Sequence, residues 1–352
     1  MADAGMRLIA NTVEFGIIGV TPLFGSFWRY LALWSRADRF LASWRPDVAV
    51  TIDCPGFHFL LASRLRVRQI PTLWYIPPQL WAWASWRVHK VRRRFTRVAC
   101  VLPHETAFFH AHGVPVTFVG HPVVDHLKRL TLDREFIASL RASPKERLIA
   151  LLPGSRRQEV APILKRQLVV ARALEERHPP CRFVLALADE RHREWTARLT
   201  AASDLAIRTG VGKTHEVQSA ADLALVASGT ASLELAFYGT PMAVFYNVTW
   251  IQWNLIGRWL VTTPHLSLPN ALAGRRIVPE YMLDLPPTAA EIDEVAGLLV
   301  NERYRGDVRA ALAEVRHSVD VAGAADNAAR EVLRLVGTTV PAPSALRPGF
   351  AV

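Results

Sequence analysis

Three short stretches put residues fit for chemistry at the ends of apolar runs. Asp53 follows the run Val48 to Ile52 and sits beside Cys54-Pro55-Gly56, where a carboxylate can take a proton or orient a hydroxyl. Pro153-Gly154-Ser155-Arg156-Arg157 follows Leu148 to Leu152, joining small residues to guanidiniums whose planar forks can donate two hydrogen bonds at once to a diphosphate. Ser228-Gly229-Thr230 follows Leu223 to Val226 and precedes Ala231 to Tyr238, which favours helix. A helix starting there aims unpaired N–H groups and its positive dipole end outward, and phosphate is the natural guest. Glu234, one turn in, could accept hydrogen bonds from ribose hydroxyls. His121, in Gly120-His121-Pro122, could touch substrate or move a proton. Each residue also has a plain structural use. Asp53 can cap a helix or brace a turn, Ser228 can cap, Glu234 suits any helix N-terminus, and a lone histidine is more often a hydrogen-bonded structural residue. No Gly-x-Gly-x-x-Gly stands after a strand and no Walker loop exists, which disfavours a nicotinamide enzyme or an ATPase. No HExxH or paired histidine suggests a metal, and no cofactor is expected.

These loops need strands and helices to hold them, and the apolar rhythm supplies both. Val48 to Ile52, Thr72 to Ile76, Ala99 to Leu102 and Val116 to Val119 read as strands, with helices over Phe57 to Leu65 and His104 to His112. A polar connector, Asp133 to Ala142, leads to a restart. Strands are predicted at Leu148 to Leu152, Phe183 to Leu187, Ile207 to Thr209, Leu223 to Val226 and Met242 to Tyr246, with helices at Val160 to Arg177 and His215 to Ala220. Two amphipathic helices close the chain, Ala289 to Asn301 and Gly323 to Val336. The pattern predicts an α/β fold of two Rossmann-like domains, residues 1–143 and 144–337, facing a central cleft into which the strands' carboxyl ends open. The last helix is expected to pack back on the first domain, and the Pro-rich tail 338–352 to be disordered.

At 352 residues the chain suits two domains, and 51% hydrophobic residues can bury both. A net charge of +11 calls for an acidic partner: phosphorylated substrates, an anionic membrane surface or nucleic acid. The three cysteines lie far apart, which fits buried thiols in a reducing compartment, and the start shows no signal peptide. Gly16 to Trp34 is too interrupted for a membrane span. Trp81 to Val98 is strongly basic. Val88, Val91 and Phe95 share one side at helical spacing, while Arg87, Lys90, Arg94 and Arg97 fall on the other. With Trp81, Trp83 and Trp86 before the cations, the stretch suits a membrane surface, nucleic acid or an ordinary solvated helix. Trp250, Trp253 and Trp259 on one short segment suggest a greasy groove, membrane contact or a core helix.

The chain resembles the lipid-A-disaccharide synthases, inverting glycosyltransferases of GT-B architecture. The matching segments run in order: Ile52 to Phe57, Trp81 to Trp83, Leu102 to Phe109, Gly113 to Asp125, Leu151 to Val160, Ser228 to Glu234, Gly239 to Met242 and Ser267 to Arg275. The resemblance implies transfer of 2,3-diacylglucosamine from its UDP derivative to the 6-hydroxyl of 2,3-diacylglucosamine 1-phosphate, giving a β-1,6 disaccharide and UDP. It implies Asp53 and Arg156 as catalytic residues. Ser155, Ser228, Gly229, Thr230, Glu234, Asn270, Arg275 and His121 would contact substrate, and Trp81, Trp83, Trp86, Arg87, Lys90, Trp250 and Trp253 the membrane or acyl chains. The expected setting is cytoplasmic, peripheral on the inner membrane's cytoplasmic face, without nucleic acid, and a homodimer is left open. The family has an acidic residue where Gly56 stands and a serine near Pro77 or Pro78. It also opens with a strand and a Gly-Glu-Ser-Gly-Asp-type loop that has no counterpart here, so the first domain is expected to start truncated. Alternatives are a catalytically impaired relative that binds UDP-sugar or membrane, and another nucleotide-sugar enzyme such as an epimerase.

Overall fold

A computed structural model describes residues 5–7, 9, 23–143 and 145–336. The segment 16–22 and the tail 338–352 lie outside the described residues. Among the described residues, ten strands form two parallel sheets. The first holds β1 (Ala49–Ile52), β2 (Thr72–Tyr75), β3 (Arg97–Cys100) and β4 (Val116–Phe118) in that order. The second holds β5 (Arg147–Leu152), β6 (Cys181–Leu187), β7 (Ile207–Val211), β8 (Leu223–Ala227), β9 (Met242–Val248) and β10 (Glu280–Leu283), in the order β10-β9-β8-β5-β6-β7.

Local sequence explains the second sheet's depth. β5 reads RLIALL and β8 reads LALVA, continuous apolar runs as parallel strands covered on both faces require, and β8 is buried throughout. The strand order reverses between β5 and β8, which pair from Ile149↔Leu223 to Leu152↔Val226. The helix after β5 therefore leaves to one side and the helix after β8 to the other, opening a crevice at their carboxyl ends.

The first sheet packs its helical face through Trp74, which stacks on Phe95 (4.3 Å between centroids) and meets Phe59 edge-on. Its other face is covered by helix Ala324–Leu335, which returns from the end of the chain to contact β2 and helix Pro122–Arg129. Asp125 caps this returning helix, accepting from the Gly323 and Ala324 amides at 2.8 and 2.7 Å. Gly120 is the one residue that fits where the connector crosses. Its φ is +93°, and a Cβ would stand 2.7 Å from the Val321 carbonyl oxygen.

Helices Pro122–Arg129, Arg193–Ala201 and Leu268–Ala273 escaped the sequence reading, as did two further elements. β10 is a short edge strand of mixed burial, and helix Glu302–Val319 is polar on most of its surface with Gly306 inside it. Two cations predicted to face outward are tied down instead: Arg94 donates to the Phe59 carbonyl (2.8 Å), and Arg97 pairs with the buried Glu331 (3.3 Å). Cys54 is exposed, whereas Cys100 is buried, and all three cysteines are free.

Candidate active site

The crevice between β5 and β8 is built from backbone first. Leu152 and Val226 lie side by side, so the loops 153–156 and 228–230 emerge together, and a Cβ on Gly154 (φ +104°) would lie 3.4 Å from that of Ala227. Gly229 starts helix Thr230–Tyr238 at φ +146°, a conformation for glycine, with open space where a Cβ would be. The buried Ser232 hydroxyl donates to the Gly229 carbonyl at 2.7 Å and fixes the turn. Among the described residues the amides at Gly229, Thr230 and Ala231 have no hydrogen-bond partner, as a helix start requires. Ser155 is held from beneath by a relay the sequence did not reveal. The Trp195 indole donates to His192 Nδ1 (3.3 Å), and His192 Nε2 donates to the Ser155 carbonyl (2.9 Å), which sets the histidine's tautomer.

Arg156 is exposed and pairs with Glu159, one turn away, at 3.2 Å. An exposed pair of this kind holds a guanidinium weakly, by about 0–1 kcal/mol, so a diphosphate can recruit it. Glu234 is half-buried, and the Gln218 amide donates to its Oε2 at 2.9 Å, leaving Oε1 to accept. Across the cleft, helix Pro122–Arg129, which follows β4, packs on helix Thr230–Tyr238, so the carboxyl edges of both sheets border one space.

Asp53 stands on the first sheet's carboxyl edge. Asp53 and Cys54 both adopt left-handed backbone, φ +50° and +43°, a strain of order 1–3 kcal/mol each that the surroundings must hold. They do so in part through the Asp53 carbonyl, which accepts from His58 Nδ1 (2.7 Å) and the Trp74 indole (3.3 Å), while the Asp53 amide donates to the Tyr75 carbonyl (3.2 Å). Burial lowers the His58 pKa, which keeps the ring neutral in this role. The Asp53 carboxylate is exposed and, among the described residues, has no hydrogen bond or ion pair. His121 caps helix Pro122–Arg129, its Nδ1 accepting from the Val123 amide at 3.2 Å, and burial pushes its pKa down to about 4. With Nδ1 occupied as an acceptor, the ring is neutral at physiological pH and presents Nε2–H as a donor.

Asn270 and Arg275 are placed differently. Asn270 is fully buried: its Oδ1 accepts from the Ile277 and Val278 amides (2.7 and 2.9 Å) and its Nδ2 donates to the Val278 carbonyl. It shapes the loop from within, aided by Glu280, which accepts from the Ser267 amide at 3.0 Å. Arg275 turns to Glu314 on helix Glu302–Val319, 3.6 Å away. Trp81 is turned inward too. Its indole donates to the buried Glu105 at 3.3 Å and lies edge-on to His104, 4.4 Å between centroids. Burial pushes Glu105 up to about 8 from its ordinary 4.5, although the Leu102 amide and the Trp81 indole favour its charged form. The stability this carboxyl contributes is whole below its unfolded value and is lost as pH rises through about 8. Glu105→Gln, which stays neutral, is expected to remove that decline. Thermal melts of both proteins between about pH 5 and pH 9 check it, and parallel Tm profiles would refute it.

Two Rossmann-like domains with a phosphate-friendly switch point on a shared cleft define the GT-B class. Solved structures agree on the fold: the S. aureus MnaA–UDP co-structure has a TM-score of 0.62 at 13% identity over 96% of this chain and 89% of that one. The UDP-GlcNAc 2-epimerase of Neisseria meningitidis, bound to UDP-GlcNAc, has a TM-score of 0.57 at 14% identity, covering 88% and 81%. The family described as lipid-A-disaccharide synthetase matches residues 1–331. The lipid-A-disaccharide synthase of Geobacter sulfurreducens is 32% identical over 97% of this chain and 88% of its own length, and that of Anaeromyxobacter sp. (strain K) is 34% identical over 95% and 87%. The chain belongs to the lipid-A-disaccharide synthase family and is a hexosyltransferase of lipid A biosynthesis.

Proposed function

We propose that the enzyme transfers 2,3-diacylglucosamine from UDP-2,3-diacylglucosamine to the 6-hydroxyl of 2,3-diacylglucosamine 1-phosphate, with inversion. The observation that carries this reading is the pairing of an unpaired helix N-terminus and a weakly held guanidinium at one crevice, together with an unengaged carboxylate on the carboxyl edge of the first sheet. The UDP diphosphate seats on the amides at Gly229 and Thr230, with the Ser155 and Ser228 loops as walls. Glu234 accepts from the ribose hydroxyls. Asp53 takes the proton of the acceptor's 6-hydroxyl as its oxygen attacks C1 of the donor sugar. The bond from C1 to the diphosphate breaks on the opposite face, and UDP leaves with the electron pair, its new charge met by Arg156 and the amides. His121 donates a neutral hydrogen bond to substrate and does not move a proton. Trp83, Trp86, Arg87, Lys90 and Trp250 keep the protein at an anionic membrane face, where diacylated substrates reside, on the cytoplasmic side.

The test is a transfer assay with both substrates. Disaccharide 1-phosphate and UDP in equal amounts are expected. UDP without disaccharide, or an epimerised UDP-sugar, would sink the reading.

A further inference from the structure

Glu234 owes its orientation to a residue on a neighbouring helix. Helix Thr214–Ala220 packs against helix Thr230–Tyr238 with Val217 in the shared buried cluster, and Gln218, the next residue, is fully buried. Two bonds anchor it to the same neighbour. The Thr240 hydroxyl, just past the end of helix Thr230–Tyr238, donates to the Gln218 carbonyl at 2.8 Å, and Gln218 Nε2 donates to Glu234 Oε2 at 2.9 Å. Main chain and side chain are both held, so the direction of the amide is set.

Packing alone does not call for an amide here. Gln218 Oε1 is buried and has no partner among the described residues, so only the donor end is engaged, and it is directed at a half-buried carboxylate. An unbranched apolar side chain would fill the same space without leaving a buried acceptor unpaired. The groups nearby do not compete for that carboxylate. One turn along, the Tyr238 hydroxyl is buried without a partner among the described residues; burial, with the Glu234 and Glu216 carboxylates close by, pushes it up to about 12, so it stays neutral. Glu216 accepts from the Asp133 amide at 3.3 Å and lies 3.7 Å from Lys213, and the His215 ring stands 6.3 Å from that of Tyr238. Among the described residues Glu234 has no cationic partner, so a neutral amide orients it and leaves its charge whole. A carboxylate offers about four acceptor positions, and Gln218 fills one of them. Beside a diphosphate the remaining charge is repulsive unless neighbouring hydroxyls meet it, so the residue that aims Glu234 separates sugars that carry such hydroxyls from sugars that do not.

We propose that Gln218 is a positioning residue for nucleotide selection: by holding Glu234 through Oε2, it makes the binding of a uridine diphosphate depend on the ribose hydroxyls. This role rests on the proposed seat of the ribose at Glu234 and adds the residue that sets its selectivity.

Calorimetry with UDP and with 2′,3′-dideoxy-UDP tests it. The wild-type chain is expected to bind UDP at least about tenfold more tightly than the dideoxy nucleotide. Gln218→Met, close in shape but without the amide, is expected to lose about tenfold in UDP affinity and less than about twofold in affinity for dideoxy-UDP. Gln218→Glu sets a second carboxylate against Glu234. Its UDP affinity is expected to be low at about pH 8 and to approach that of the wild-type chain, measured at the same pH, as the pH falls toward about 5 and the two carboxylates come to share a proton. A glutamine that served packing alone would give no such recovery, and this variant carries the test if Gln218→Met does not fold. A folded Gln218→Met protein that keeps wild-type discrimination, or that loses both ligands equally, would overturn the role of Gln218. Loss of the discrimination in Glu234→Ala alone would then leave the ribose seat standing without it. A wild-type chain that binds both nucleotides alike would remove the seat at Glu234, and Gln218 with it.

Discussion

Asp53→Asn is expected to lower the turnover of disaccharide formation by about 10²–10⁴-fold, the span that loss of a positioned general base produces, with little change in KM for the UDP-sugar. Asparagine is the right substitution because of the backbone. It shares with aspartate a tolerance for left-handed conformation, so the φ of +50° and the bonds from His58 and Trp74 to the carbonyl should persist. The exposed carboxylate makes no contact whose loss would disturb folding. A folded Asp53→Asn protein with near-wild-type turnover would remove Asp53 from the chemistry. Asp53→Ala makes a poorer probe, since the strained turn would then select against the new residue for reasons unrelated to proton transfer.

Arg156→Ala is expected to cost about 10²–10³-fold in turnover, the magnitude seen when one donor to a developing anion is removed. Lysine in its place should recover only part, because an ammonium is a point charge without the planar fork. The ion pair with Glu159 gives the result a second reading: Glu159→Gln frees the guanidinium without removing it, and should leave UDP affinity intact or improve it. Turnover and UDP affinity, measured on the same samples, separate leaving-group stabilisation from loss of ground-state binding. Unchanged values for Arg156→Ala in both would place the diphosphate elsewhere.

The sequence exposed those features whose cause is local. Continuous apolar runs at β5 and β8 require cover on both faces, and small residues after them require loops, so the phosphate-side loops could be placed to within a residue or two. Asp53 was legible for the same reason. What stayed hidden depends on partners far along the chain. Asn270 sits in a motif that looks like a ligand contact, yet its three hydrogen bonds go to backbone at 277 and 278, a pattern that composition does not announce. Arg97 reads as a surface cation until Glu331, 234 positions later, is brought against it. His192 gave no signal at all, for its function is to hold a carbonyl 37 positions away. Helix Glu302–Val319 was missed because its apolar stripe, Val308, Ala311, Leu312, Val315 and Val319, is narrow within a highly charged stretch.

The returning helix also decides how the molecule comes apart. Leu73, Ala99, Val119 and Val124, from the first sheet and its last crossover, lie in one buried cluster with Ile149, Leu225 and Leu312 of the second. The two halves share this apolar interior, so the folding of one is written into the folding of the other. At the rim, by contrast, the segments at 81–84 and 260–262 are held to each other by three hydrogen bonds.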